Sequence, residues 1–294
     1  MYKEILRVLK CPKCNQKLNL TIEKEVNTEV IEGRLSCDSS HDWMISEGII
    51  NFSSMEQNGV NNWTEYYDQY DYDELDKKLL EETPENIKTI IDDAKKFIVN
   101  SIVDKENEFI LDIATGRGIL FTEMIKHINS ESQMICTDLS FVVLKYDRLK
   151  AKKINPEIKI NYIACDATNL PFKDNTIDTV VSLFGIENMM ELATYGIGEA
   201  KRVLNSGGVL LNTCTVIKDD SKGFQRLKEI CCSNNISGAE ENFLKSEIKK
   251  AHIKANFKST EEITIGESIG EKSDSDLIPF EGEWFGIVIF KSEK

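Results

Sequence analysis

No stretch of this 294-residue sequence approaches the roughly 18 apolar residues that a membrane-spanning helix needs. Nor does the N-terminus, Met1 to Lys10, carry the long apolar run of a secretory signal. These two absences make the cytoplasm the expected location and exclude a membrane as partner. A basic excess is also missing: 36 Lys and Arg stand against 50 Asp and Glu, for a net charge of -14. Nucleic-acid binding relies on a positive field over the contact surface. The balance therefore argues against DNA and turns the expectation toward small or neutral substrates. In a reducing compartment the 8 cysteines are thiols or metal ligands rather than a disulfide framework. No internal repeat is visible, and nothing specifies an oligomeric state. What remains is ordinary for a globular protein, 41% hydrophobic and 29% charged, with length for one large domain and one small one.

Residues 1–55 differ in texture from the rest. They are rich in Cys, Asn, Ser and β-branched residues, with short alternating runs such as Lys17-Leu18-Asn19-Leu20 and Thr28-Glu29-Val30-Ile31. Hairpins of a small β module fit this pattern, and so short a module needs a metal staple. Residues 56–105 read as a linker and a helical extension. Trp63, Tyr66, Tyr67 and Tyr70 stand there among Asp and Glu, either as a lid or as a packed linker helix. Thr83-Pro84 then opens an amphipathic helix carrying Ile87, Ile90, Ile91, Ala94, Ile98 and Ile102 to about Val103.

From residue 106 to 294 strand-like and helix-like runs alternate, which predicts a parallel sheet with right-handed crossovers. Two final strand-like runs, Glu262 to Ile269 and Trp284 to Lys291, have no helix between them and predict a terminal antiparallel pair. Residues 218–256 are helical in pattern and are expected over the sheet edge or the substrate opening. The fold class is α/β: a Rossmann-like, mostly parallel sheet with a C-terminal antiparallel pair, plus the small N-terminal module.

The segment Leu111-Asp112-Ile113-Ala114-Thr115-Gly116-Arg117-Gly118 ends a strand and opens a helix. Gly116 and Gly118 allow a tight turn and a close approach of ligand to backbone, and free N–H groups at the helix start face that ligand. Asp138 ends the next strand, 26 positions after Asp112, where a carboxylate can accept both hydrogen bonds of a ribose diol. Asp166 ends the third, where it can accept from an adenine amino group. An Asp at one strand end is most simply a helix cap. Three at successive strand ends converge on one crevice. A nicotinamide dinucleotide would want a third glycine near the position of Phe121, which is bulky.

With Leu111–Gly118, Thr137-Asp138-Leu139-Ser140, Asp166–Phe172, Asp178–Ser182 and Glu199–Gly208, residues 108–213 resemble class I S-adenosylmethionine-dependent methyltransferases. The resemblance implies an S-adenosylmethionine site at Asp112, Ala114, Thr115, Gly116, Gly118, Asp138, Leu139, Asp166, Ala167 and Leu183. The methionine part would lie on the turn, the ribose on Asp138 and the adenine near Asp166 and Ala167. Ala114 departs from the family, which usually has glycine there. Glu187 and Asn188, after the fourth strand, sit where many relatives contact the methyl acceptor. They are the candidate catalytic residues.

Cys11-Pro12-Lys13-Cys14 and Cys37-Asp38-Ser39-Ser40-His41 form a Cys-x2-Cys and a Cys-x3-His pair with 22 residues between them. Cys11, Cys14, Cys37 and His41 can complete a zinc tetrahedron. With all four ligands from protein, the zinc would be structural. The segment resembles the zinc ribbon of ribosomal RNA guanine-N1 methyltransferases, which implies RNA as an alternative acceptor. This chain departs from that family in its acidity: residues 61–105 hold 12 Asp and Glu against 6 Lys and no Arg. A small-molecule acceptor is therefore slightly favoured over rRNA. A third reading, of another kind, is a non-catalytic module that binds cofactor or a partner protein. The ribbon and the main domain are expected to have separate cores. Cys136, Cys165 and Cys214 read as core thiols, and His252 as a surface helix residue.

Overall fold

The computed structural model describes residues 1–53, 67, 71–128, 131–272 and 281–294. Trp63, Tyr66 and Tyr70 lie outside the described residues. The strands are β1 (Asn19–Val26), β2 (Glu29–Ser36), β3 (Asp42–Ser46), β4 (Ile49–Asn51), β5 (Phe109–Ile113), β6 (Gln133–Asp138), β7 (Ile160–Ala164), β8 (Ile177–Leu183), β9 (Leu204–Ile217), β10 (Ser259–Ile269) and β11 (Trp284–Glu293). The helices are α1 (Tyr72–Glu82), α2 (Glu85–Val103), α3 (Phe121–Met124), α4 (Phe141–Ile154), α5 (Ala193–Val203), α6 (Lys222–Ser233) and α7 (Lys245–Lys254).

All eleven strands form one sheet in the order β1-β2-β3-β4-β7-β6-β5-β8-β9-β11-β10. From β4 to β9 every pairing is parallel. β5 and β7 are buried at all five positions, which is why they read as continuous apolar runs rather than alternating ones. β10 and β11 make the expected antiparallel pair, and β11 also pairs with β9. The order reverses between β5 and β8, and in open α/β sheets that reversal opens a crevice beyond the strands' carboxyl ends.

The N-terminal segment does not have the separate core expected of it. β4 pairs in parallel with β7, Ile49 opposite Tyr162 and Asn51 opposite Ala164, so β1–β4 extend the main sheet. One apolar cluster runs from Met1, Ile5, Leu9, Leu35 and Trp43 into Leu111, Ile163 and Phe172. The physical reason is burial: a four-stranded meander offers too little apolar area to close its own core, while the edge strand β7 needs cover.

The helix after the glycine turn is also shorter than its apolar spacing suggests, four residues at Phe121–Met124. The amphipathic α2 is as expected, burying Ile90, Ala94, Ile98 and Ile102. His252 is a correction. It is fully buried, with Asn212 Nδ2 at 3.2 Å from Nε2 and Ser292 Oγ at 2.8 Å from Nδ1, and burial holds its imidazole down to about 4. An isolated histidine on a Lys-rich helix gave no sign that this position faces β9 and β11. Cys136, Cys165 and Cys214 are buried, as expected of core thiols.

Candidate functional site

The glycine turn leaves β5 with three residues in the left-handed region: Ala114 (φ 53°), Gly116 (φ 56°) and Gly118 (φ 69°). Alanine tolerates that backbone at a cost of roughly 1 kcal/mol, so the usual glycine can be replaced at Ala114 without losing the turn. The turn is pinned on both sides. Thr115 N–H donates to Thr137 O at 2.9 Å, and Thr115 Oγ1 donates to Asp112 Oδ2 at 3.0 Å. Asp112 is buried, and burial pushes its carboxyl up to about 7 despite the Thr115 hydrogen bond.

Asp138, at the end of β6, accepts from Gly116 N–H at 3.0 Å and from Ser140 N–H at 2.9 Å. Asp166, beyond β7, accepts twice from Thr168 on Oδ1, at 2.7 Å from both the N–H and Oγ1. No hydrogen bond to its Oδ2 is made among the described residues. Leu139, Ala167 and Leu183 are each at least partly exposed beside these strand ends. The structure thus brings the whole expected cofactor set to one end of the sheet.

Two neighbours of this set escaped sequence reasoning. A Cβ on Gly185 would lie 2.6 Å from the carbonyl oxygens of both Ile113 and Ala114, so the chain after β8 packs backbone against the turn. Asp147, on α4, is fully buried with neither carboxyl oxygen hydrogen-bonded among the described residues. Burial drives its carboxyl well above the usual range, opposed by Lys150 at 3.9 Å and reinforced by Asp138 and Asp112. Gly185 could have been found as a glycine directly after a strand. Asp147 carries no sequence signal, because an Asp within a mixed helix reads as solvent-facing. Tyr67 is buried against Tyr146 of α4, ring centroids 4.8 Å apart, and takes Lys150 Nζ at 3.2 Å on its hydroxyl.

A cavity of about 380 Å³ is lined by Ile186, which follows Gly185 in sequence, and by Glu187, Ile197, Asn212 and Cys214 among others. Residues from the segment between α6 and α7 close it, including Glu241 and Asn242. Glu187 is buried, accepts Thr215 N–H on Oε2 at 2.5 Å, and is pushed up to about 8 by burial. Phe184 (φ 62°) and Met190 (φ 54°) flank it in left-handed backbone, which bulky residues adopt only under constraint. Asn188 is exposed and does not line the cavity.

Just after the end of β2, the ligand atoms of Cys11, Cys14, Cys37 and His41 all lie within 4.8 Å of one another. Cys14 and Cys37 Sγ are 3.5 Å apart, and His41 Nδ1 is 3.5 Å from the sulfurs of Cys11 and Cys37. Zinc–sulfur and zinc–nitrogen bonds of about 2.3 and 2.0 Å give tetrahedral edges of roughly 3.5–3.8 Å, so the donor set fits zinc. Two tight turns present it: Asn15 N–H donates to Cys11 O, and Ser40 N–H to Cys37 O.

The order of the parallel strands belongs to a fold shared with solved S-adenosylmethionine-dependent methyltransferases. Residues 88–222 match the ubiE/COQ5 methyltransferase family. The demethylmenaquinone methyltransferase of Porphyromonas gingivalis is 35% identical over 102 residues, which is 35% of this chain and 41% of that protein. The ubiquinone/menaquinone biosynthesis C-methyltransferase UbiE of Haemophilus ducreyi is 30% identical over 117 residues, 40% of this chain and 45% of that protein. The chain therefore spans less than half the length of these curated relatives. A solved S-adenosylmethionine-dependent methyltransferase from Aquifex aeolicus shares the fold, with a TM-score of 0.50 at 16% identity, over 76% of this chain and 98% of that one. No helix among the described residues is long and apolar enough to cross a membrane.

Proposed function

We propose that the chain transfers a methyl group from S-adenosylmethionine to a small acceptor of the quinol type. The observation that carries this reading is the juxtaposition of the three-carboxylate crevice with a cavity whose one buried carboxyl is Glu187. The cofactor supplies an electrophilic methyl on a sulfonium. Asp138 holds the ribose, Asp166 the adenine edge, and the turn from Asp112 to Gly118 the methionine part. Alignment of donor and acceptor does most of the work. Glu187 would accept the acceptor's hydroxyl proton as the methyl group is transferred to the ring carbon. The four-residue Cys and His set holds one structural zinc.

The quinol class comes from the names of the matched relatives, and Glu187 is the one buried carboxyl among the cavity's four, beside Glu191, Glu241 and Glu247. The rRNA alternative rests on the ribbon's resemblance, and the acidic segment 61–105 opposes it. Methyl-labelled cofactor incubated separately with a short-chain demethylmenaquinol and with unmodified ribosomal RNA decides between them. Label is expected in the quinol. Stoichiometric label at one RNA nucleotide would reject the small acceptor, and no turnover with any acceptor would leave a binding module.

Asp138→Ala should weaken S-adenosylmethionine binding by about 1–3 kcal/mol, since the ribose hydroxyls lose a charged acceptor. Equal affinities by calorimetry would remove Asp138 from the site. Because Glu187 must be ionised to act as base, the methyl-transfer rate should rise with pH through about 8 and fall off below it. Glu187→Gln should flatten that rise while leaving cofactor affinity intact. The stability linkage has the opposite slope. The raised carboxyl favours folding at low pH, and its contribution is lost as pH climbs through the same value.

A further inference from the structure

A second cavity, of about 460 Å³, lies between the β1–β2 hairpin and the end of α4, where β7 begins. Parallel strands put the beginning of β7 at the opposite end of the sheet from the glycine turn. The cavity's charged lining is Lys24, Glu29, Arg148, Lys152, Glu157 and Lys159, four cations against two carboxylates. Arg148 is already committed, bonding Glu29 Oε1 at 2.8 Å and the Glu47 carbonyl at 2.6 Å. Lys24, Lys152 and Lys159 make no ion pair among the described residues. Lys159 Nζ instead sits 5.7 Å from the centroid of the Tyr2 ring. In a chain of net charge -14, three unpaired ammonium groups around one cavity reverse the prevailing charge.

The backbone of the hairpin is specialised at the same place. The β1–β2 register slips on both sides of Lys24, and such bulges re-aim a side chain. The hairpin then turns through Asn27 (φ 47°) and Thr28 (φ 70°). A β-branched residue resists that conformation, and both residues line the cavity. Lys152, in the last turn of α4, offsets the negative end of that helix, so the cavity keeps its positive character. Val26 and Ile31 add an apolar wall. The volume falls in the usual range for small-molecule sites, about 300–1,000 Å³.

We propose that this cavity binds a small organic phosphate, its phosphate held among Lys24, Lys152 and Lys159 and its apolar body against Val26 and Tyr2, at a site separate from the methyl-transfer crevice. Calorimetric titration with phenyl phosphate, inorganic phosphate and phenol tests it. Phenyl phosphate is expected to bind, inorganic phosphate to bind more weakly, and phenol not at all. In the charge-reversed Lys24→Glu/Lys152→Glu protein, phenyl phosphate should bind at least about tenfold more weakly, the loss of charge-assisted hydrogen bonds. Its S-adenosylmethionine affinity should be unchanged, which reports that the variant is folded and that the two sites are distinct. If the double variant loses its fold, Lys24→Gln on the exposed hairpin gives the same comparison. The proposal is overturned if phenyl phosphate does not bind the unaltered protein, if phenol binds equally well, or if the folded variants bind phenyl phosphate with unaltered affinity.

Discussion

Gly118→Ala is expected to abolish measurable S-adenosylmethionine binding and to lower stability by about 4 kcal/mol or more. Gly118 has φ +69°, and a Cβ there would lie 2.1 Å from Phe121 Cε1, 2.5 Å from Cδ1 and 2.7 Å from Asp147 Oδ1. None of these can give way cheaply. The Phe121 ring is fully buried edge-on against Tyr162, centroids 6.5 Å apart. Asp147 has no exposed side to retreat to. The turn itself must move, and with it the backbone proposed to hold the methionine part of the cofactor. Gly198→Ala on α5 is the control, because an added Cβ meets nothing within 4 Å there. It should be neutral or stabilise by about 0.5–1 kcal/mol. Thermal melts and calorimetry of the two variants side by side make the comparison. A Gly118→Ala protein with unaltered melting temperature and affinity would refute the tight-packing account.

Cys37→Ser should lower the melting temperature of the whole chain by roughly 10 °C in one transition, not melt a detached N-terminal piece. Losing a structural ligand is assigned about 3–5 kcal/mol here, within the range of large single-site losses, and about 2–4 °C per kcal/mol follows for a chain of this size. The single transition follows from connectivity. Lys10 N–H donates to Pro171 O, Lys173 N–H to Val8 O, and Phe52 N–H to Ala164 O, at 2.9, 2.7 and 2.8 Å. The apolar cluster crosses the same boundary. Differential scanning calorimetry, paired with elemental analysis for one zinc per chain, reads both parts. Two separate transitions would contradict the shared core, and zinc-free protein with an unchanged melting temperature would remove the metal.

The crevice was legible because each of its carboxylates ends a strand and one glycine turn lies beside them. Those are local signals, set by backbone geometry within a few residues of Asp112, Asp138 and Asp166. The four-residue metal set was legible for the same reason, from two short spacings. What could not be read depends on tertiary neighbours. His252 belongs to a helix whose sequence looks solvated, and only the packing of α7 over β9 and β11 buries it. Asp147 is buried by the turn it touches. The shared core was missed because the pairing of β4 with β7 joins residues about a hundred positions apart, and no local pattern reports it.

That same pairing sets an order of events during synthesis. The ribosome releases residues 1–53 well before Ile160–Ala164 exist, so β4 emerges with one edge lacking its final neighbour. Contacts so far apart in sequence form late and slowly. In the interval the proposed zinc, held by the Cys-x2-Cys and Cys-x3-His pairs, would keep the nascent meander compact. Zinc starvation should therefore show first in the yield of newly made protein, before any loss from the finished pool.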